Sequence, residues 1–231
     1  EAAQILMNDA PPPGEDLRQQ QVMLAHTLLL TGAYNQALSV SEQALGAHPT
    51  PSQQAELWVT QGMVAFYQGQ KDRAEELLRH AIKTAKEVSD LRNLERATAN
   101  LAVVLQKQGQ RKEAFKAYQT SVEAARARGD LLKQIGRLSN LATLQQEMGL
   151  LEAATKSYSE ADTLARLTES EREVVRLRLN WANMLSWYGD ANQAFALAID
   201  ALERAKRLSM PIEQAYLHLL LTEVALLRAD R

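Results

Sequence analysis

Asn100, Asn140 and Asn180 recur at forty-residue intervals. A primary amide donates and accepts at once, so a ladder of them suits pairing with a peptide backbone, or with a neighbouring helix. Helical spacing puts Arg96, Gln106, Arg137, Gln146, Arg176, Asn183 and Trp187 on the same faces as those asparagines. The result is a polar surface that leans basic and carries one large ring. Arginine's planar fork favours carboxylates there. This is recognition chemistry rather than catalysis. His26, His48, His80 and His218 are scattered, with no i,i+4 pair to hold a metal. No phosphate loop of the G-x-x-x-x-G-K type occurs. The glutamates and aspartates read as solvated helix faces without an acid–base pair. The expectation is a chain that is not an enzyme and takes no metal and no cofactor.

The elements that carry these residues announce themselves by a beat. Gly32, Gly69, Gly109, Gly149 and Gly189 are spaced by 37 and then three times 40 residues, and an alanine follows each one five positions later: Ala37, Ala74, Ala114, Ala154 and Ala194. Between glycines the apolar residues keep helical spacing, as in Leu138, Leu141, Ala142 and Leu144, then Ala154, Ala161, Leu164 and Ala165. Each glycine ends a helix, where a left-handed residue is commonly needed. Two antiparallel helices of ~16–18 residues, about 25 Å long, make one unit. Small residues stand seven before the glycine (Ala25, Gly62, Ala102, Ala142, Ala182) and twelve after it (Ala44, Ala81, Ser121, Ala161, Ala201). They mark close helix approach, at the short end of the usual ~8–10 Å. Trp181 takes the place of Leu101 and Leu141 and reads as core, whereas Trp187, six residues further on, either points to the face that carries the asparagines or packs half-buried against the next unit. The repeats span about 17–52, 53–91, 92–130, 131–170 and 171–210, with a partial repeat at 211–231.

Bulk properties agree with a helical array. Of 231 residues, 46% are hydrophobic and only 5% aromatic, and the net charge of -2 gives no general pull towards nucleic acid or an anionic membrane. Cysteine is absent, which excludes disulfides and thiolate metal sites. No apolar run reaches the ~18 residues of a membrane span. A cytoplasmic protein is expected. The opening fragment before Pro11-Pro12-Pro13-Gly14, within 1–16, reads as the tail of a preceding repeat. The segment from Ile212 to Leu227 reads as a first helix without its second, which suggests a piece of a larger protein.

The pattern resembles the tetratricopeptide repeat. The unit Trp58…Gly62…Gly69…Ala74…Leu78…Ala81 matches it well, and the first unit carries Tyr34, Ala37, Ala44 and Pro49. The Asn-Leu-Ala openings (Asn100-Leu101-Ala102, Asn140-Leu141-Ala142) and forty-residue length are similar to the long-repeat subgroup. That subgroup includes kinesin light chains, Gα-regulator scaffolds and sensor domains of bacterial regulators such as the maltose-regulon activator. The resemblance implies an all-α fold, an α-α superhelix: a right-handed solenoid of antiparallel helix pairs. It also implies that first helices line a concave groove, with Asn100, Asn140 and Asn180 as ligand contacts. Val22, Leu29, Leu30, Val59, Met63, Phe66 and Tyr67 would form an apolar end of that groove, or else, for Val22, Leu29 and Leu30 above all, a surface packed on a preceding repeat or another domain.

The function expected is a protein- or peptide-binding scaffold, the sensor or adaptor segment of a larger signalling protein. Its partner would be an extended peptide carrying apolar and acidic residues, with no direct nucleic acid or membrane binding. Two alternatives stand beside it. One is the small-molecule-sensing arm of a bacterial ATP-dependent transcription regulator. The other is a self-association module, dimerising through its terminal repeats.

Overall fold

The computed structural model describes residues 17–188 and 190–229. Gly189, the fragment 1–16 with its Pro11-Pro12-Pro13-Gly14 break, and residues 230–231 lie outside them. All regular structure among the described residues is helical: α1 (Leu17–Leu30), α2 (Tyr34–Gly46), α3 (Pro51–Tyr67), α4 (Lys71–Glu87), α5 (Leu91–Lys107), α6 (Arg111–Ala127), α7 (Leu131–Glu147), α8 (Leu151–Leu167), α9 (Glu171–Tyr188), α10 (Ala191–Arg207) and α11 (Pro211–Ala229). Packing divides the chain into two compact units, one ending at Arg128 and the other starting at Gly129. In the first, α1/α2, α3/α4 and α5/α6 are hairpins, and α1, α3 and α5 also touch in turn. In the second, α7/α8 and α9/α10 are hairpins, α11 packs on both α9 and α10, and α7, α9 and α11 touch in turn.

The glycine beat has the expected cause. Gly32, Gly69, Gly109 and Gly149 have φ of 78°, 81°, 82° and 76°. The left-handed residue lets the next N–H reach back five residues to an otherwise orphaned carbonyl, as in Gln70 N to Ala65 O at 2.8 Å and Leu150 N to Gln145 O at 2.8 Å. A second set of left-handed residues ends the second helices: His48, Ser89, Gly129, Glu169 and Ser209. Only one of these is glycine. Ser89→Gly removes a left-handed penalty of ~1–2 kcal/mol and adds roughly 0.5–1 kcal/mol of unfolded-chain entropy. A net gain of about 0.5–1 kcal/mol is expected in urea unfolding, and a lower midpoint would refute this account of the turn.

The small residues lie where helices meet. Ala25, Ala44, Ala81, Ala102, Ser121, Ala142, Ala161, Ala182 and Ala201 are fully buried. At Gly62 an added Cβ would sit 2.9 Å from Leu78 Cγ and 3.3 Å from the Ala74 carbonyl oxygen, so the helix backbones have closed to contact. Each unit then fills the gaps with larger groups. In the first, Leu24, Leu28, Leu29, Ala37, Met63 and Val64 form one cluster. In the second, Tyr158 is fully buried and stacks on Trp181, with centroids 6.1 Å apart.

Two expectations are corrected here. Val22, Leu29, Val59 and Met63 are buried rather than lining a groove, because α1 and α3 close on each other; of the seven apolar residues, Leu30 and Tyr67 are exposed and Phe66 is half-buried. Acidic side chains are not all solvated either: Glu56, Glu95 and Asp162 are buried. Each has a cation that makes burial tolerable. Arg96 Nη1 lies 2.6 Å from Glu56, Arg128 Nη1 3.8 Å from Glu95, and Arg178 Nε 2.8 Å from Asp162.

Candidate functional site

α9 is built to present one stripe and pin the other. Val174, Arg178, Trp181 and Leu185 follow helical spacing on its buried side. Trp187 is nine residues from Arg178, and at about 100° per residue that is half a turn around the helix. Asn180, Asn183 and Trp187 therefore stand opposite the buried arginine, all exposed, the indole at 75%.

Arg178 fastens the hidden side. Its Nε donates to Asp162 on α8 at 2.8 Å, and its Nη1 donates to Asp200 on α10. Arg166 Nε donates to Asp162 at 2.8 Å, and Arg204 Nε to Asp200 at 2.7 Å. Arg204 Nη1 also donates to Glu171 at 2.6 Å. Burial alone would raise the Asp162 carboxyl, but the hydrogen bonds from Arg178 and Arg166 outweigh it and hold it below its ordinary value. Asp200 is lowered likewise, by Arg204 and Arg178 against burial. Sequence reasoning missed this network; the signal was an arginine within the buried stripe of α9.

The opposing wall comes from α11. Leu217, Leu220 and Val224 are buried on one side. Gln214 Nε2 donates to the Ala205 carbonyl at 3.0 Å, and the Arg228 guanidinium lies 4.4 Å over the Phe195 ring. The other side leaves Tyr216, Leu219 and Glu223 facing the stripe of α9. A cleft of about 430 Å³ lies between them, lined by these three, Leu220, Leu179, Asn180, Asn183 and Trp187. A second space of about 420 Å³, lined by Ser186, Trp187, Glu223, Leu226 and Leu227, shares two walls with it. Tyr216 and Glu223 were not anticipated, because α11 lacks the amide motif.

The anticipated residues divide sharply. Asn180, Asn183 and Trp187 come together. The side chains of Asn100, Asn140, Asn180 and Asn183 make no hydrogen bond among the described residues, so none is spent on a neighbouring helix. Asn100, on α5, belongs to the first packing unit; Asn140, on α7, is half-buried outside the cleft. Gln106 accepts from the Tyr118 hydroxyl at 3.2 Å, and Gln146 is half-buried. The basic character expected of this face is largely cancelled. Arg96 is only 16% exposed and joins α5 to Glu56 of α3, with His26 Nδ1 3.4 Å from its Nη2. Arg176 pairs with Glu173 at 3.4 Å and with Glu213 of α11 at 3.3 Å. Arg137 is half-buried and engaged as well. Arg96 and Arg176 join adjacent first helices instead of waiting for an acidic guest.

No group of three or more metal-ligating side chains occurs among the described residues, and no described helix is long and apolar enough to cross a membrane. Residues 62–92 and 96–127 match the tetratricopeptide repeat family, and residues 134–188 match the family of anaphase-promoting complex subunit 5. No curated protein matches the sequence. Among solved structures, the fold is similar to a Signal Transduction ATPase with Numerous Domains (STAND) protein with a tetratricopeptide repeat sensor from Pyrococcus horikoshii. The identity is 15% and the TM-score 0.84, over 95% of this chain and 33% of that one. This chain thus spans a third of that protein's length. BtubC from P. vanneervenii is similar at 19% identity and TM-score 0.73, over 94% and 86% of the two chains. A Rap protein complexed with Competence and Sporulation Factor is similar at 15% identity and TM-score 0.64, over 94% and 67%. At these identities the likeness is one of fold.

Proposed function

We propose that this chain, a domain of tetratricopeptide repeats, is a protein- or peptide-binding scaffold whose docking site is the α9–α11 cleft. One observation carries the reading: two unpartnered amides and a tryptophan that is 75% exposed converge on a single cleft. Amides satisfy an extended backbone in both directions, and an exposed indole beside them is the usual kind of anchor for a partner. The Rap neighbour, described as complexed with Competence and Sporulation Factor, shows that a related fold receives a factor. The chain would serve as the sensor or adaptor segment of a larger signalling protein.

The test starts from peptides selected out of a random twelve-residue library on the wild-type domain. Replacing Asn180, Asn183 and Trp187 by alanine should weaken them by about thirtyfold or more, the effect of losing a hot-spot tryptophan. The far-UV spectrum should not change, since all three side chains are exposed. Equal affinity in wild type and variant would reject the cleft as the docking site.

A second reading, the sensor arm of a STAND-type ATPase regulator, is favoured by the TM-score of 0.84 over 95% of the chain. An ATPase module encoded in the same reading frame would support it, and a frame without one would retire it.

A further inference from the structure

We propose that the α9–α11 cleft selects a cationic peptide segment, one in which arginine or lysine lies close to an apolar side chain. This rests on the scaffold reading above and names the chemistry of the guest.

The charge inventory points that way. Among the described residues, no lysine or arginine lines either space of the cleft, and the one carboxylate that does, Glu223, borders both. Glu223 is exposed and has no hydrogen-bond or ion-pair partner among the described residues. Two cations of α9 and α11 are committed elsewhere. Arg176 is held by Glu173 and Glu213, and Arg228 lies over the Phe195 ring. An acidic guest would meet an uncompensated like charge; a basic one would meet a free carboxylate.

The rings point the same way. Trp187 shares the two spaces with Glu223, and an indole face attracts a cation most strongly of the aromatic side chains. A guanidinium can stack on that face while donating to the carboxylate, which favours arginine over lysine. On its other side the same pair of residues borders Leu226 and Leu227. In an extended peptide, side chains two residues apart emerge on one side about 7 Å apart. A cation between Trp187 and Glu223 therefore places the side chain two positions along in reach of the leucine-lined space. Asn180 and Asn183 remain for the backbone between them. The arrangement is a charge reader with an apolar neighbour, and it replaces the acidic partner that Arg96, Arg137 and Arg176 suggested.

The test sequences the peptides selected from the random twelve-residue library. On the wild-type domain, arginine and lysine should be enriched within two residues of an aliphatic or aromatic side chain. Glu223→Gln should weaken those peptides roughly five- to tenfold, and the weakening should shrink at 1 M salt, where the Debye length falls to about 3 Å. Selection on Glu223→Arg should yield peptides enriched in aspartate and glutamate. Acid-rich or uncharged peptides bound at the wild-type cleft would overturn the cationic assignment and leave the scaffold reading standing. Failure to retain any peptide would overturn both. So would sizing that shows a dimer abolished by Trp187→Ala, because the cleft would then hold a second copy of this chain.

Discussion

Arg178→Met should cost about 3 kcal/mol, the lower end for removing one partner from a buried charge pair. The substitution leaves Asp162, 2% exposed, and Asp200 facing each other across the space the guanidinium filled. Arg166 and Arg204 still hold one carboxylate each, which keeps the loss from the upper end. Amide exchange in α9 should accelerate about a hundredfold, since each 1.36 kcal/mol is a factor of ten. Replacing Asp162, Arg178 and Asp200 together by apolar residues of similar volume should recover most of the loss, because no charge is then buried alone. A single-site loss under ~1 kcal/mol would mean that solvent screens the network as it does a surface pair. The pH dependence carries a definite sign. Both carboxyls lie below the 3.8 of an ordinary aspartate. Their contribution is therefore complete above that value and fades as pH falls through the lowered folded-state values. Wild type should show this acid limb, and the triple apolar variant should show less of it.

Tyr158→Ala should cost about 3–5 kcal/mol, as for other large aromatic truncations in a core. Tyr158 is the largest fully buried side chain among the described residues. Its ring lies on Trp181 at an interplanar angle of 15°, and its hydroxyl is 3.1 Å from that of Thr143. It thereby joins α8 to α7 and α9 at once. Tyr158→Phe isolates the hydroxyl and should cost only about 1 kcal/mol. Denaturant unfolding of the two variants separates ring from hydroxyl, and equal losses would mean that the hydrogen bond, not the stack, holds the interface. The same variants bear on recognition. Trp181 lies on the buried side of the helix that presents Asn180 and Asn183, so a ring removed behind α9 loosens the wall of the cleft.

What was legible in the sequence is what depends on local spacing. A helix end that needs a left-handed residue writes a glycine, as at Gly69 and Gly109. A close helix crossing writes a residue without bulk, as at Gly62. The division between Trp181, buried, and Trp187, exposed, follows from six residues of helical phase. The left-handed turns at Ser89 and Glu169 were less visible, because a stack held on both sides tolerates a local penalty there without a glycine.

Only the tertiary structure decided which charges meet. Arg96 and Glu56 are 40 residues apart, and Arg176 and Glu213 are 37 apart. These are separations of about one repeat, and they become contacts only when successive first helices lie side by side. The same stacking buried Val59 and Met63, which a single helix would have left outside. Local periodicity states which way a side chain points from its own axis. What covers it, neutralises it or leaves it open to a guest is set by the neighbouring repeat, and so Glu223 and Tyr216 entered the site only with α11 in place.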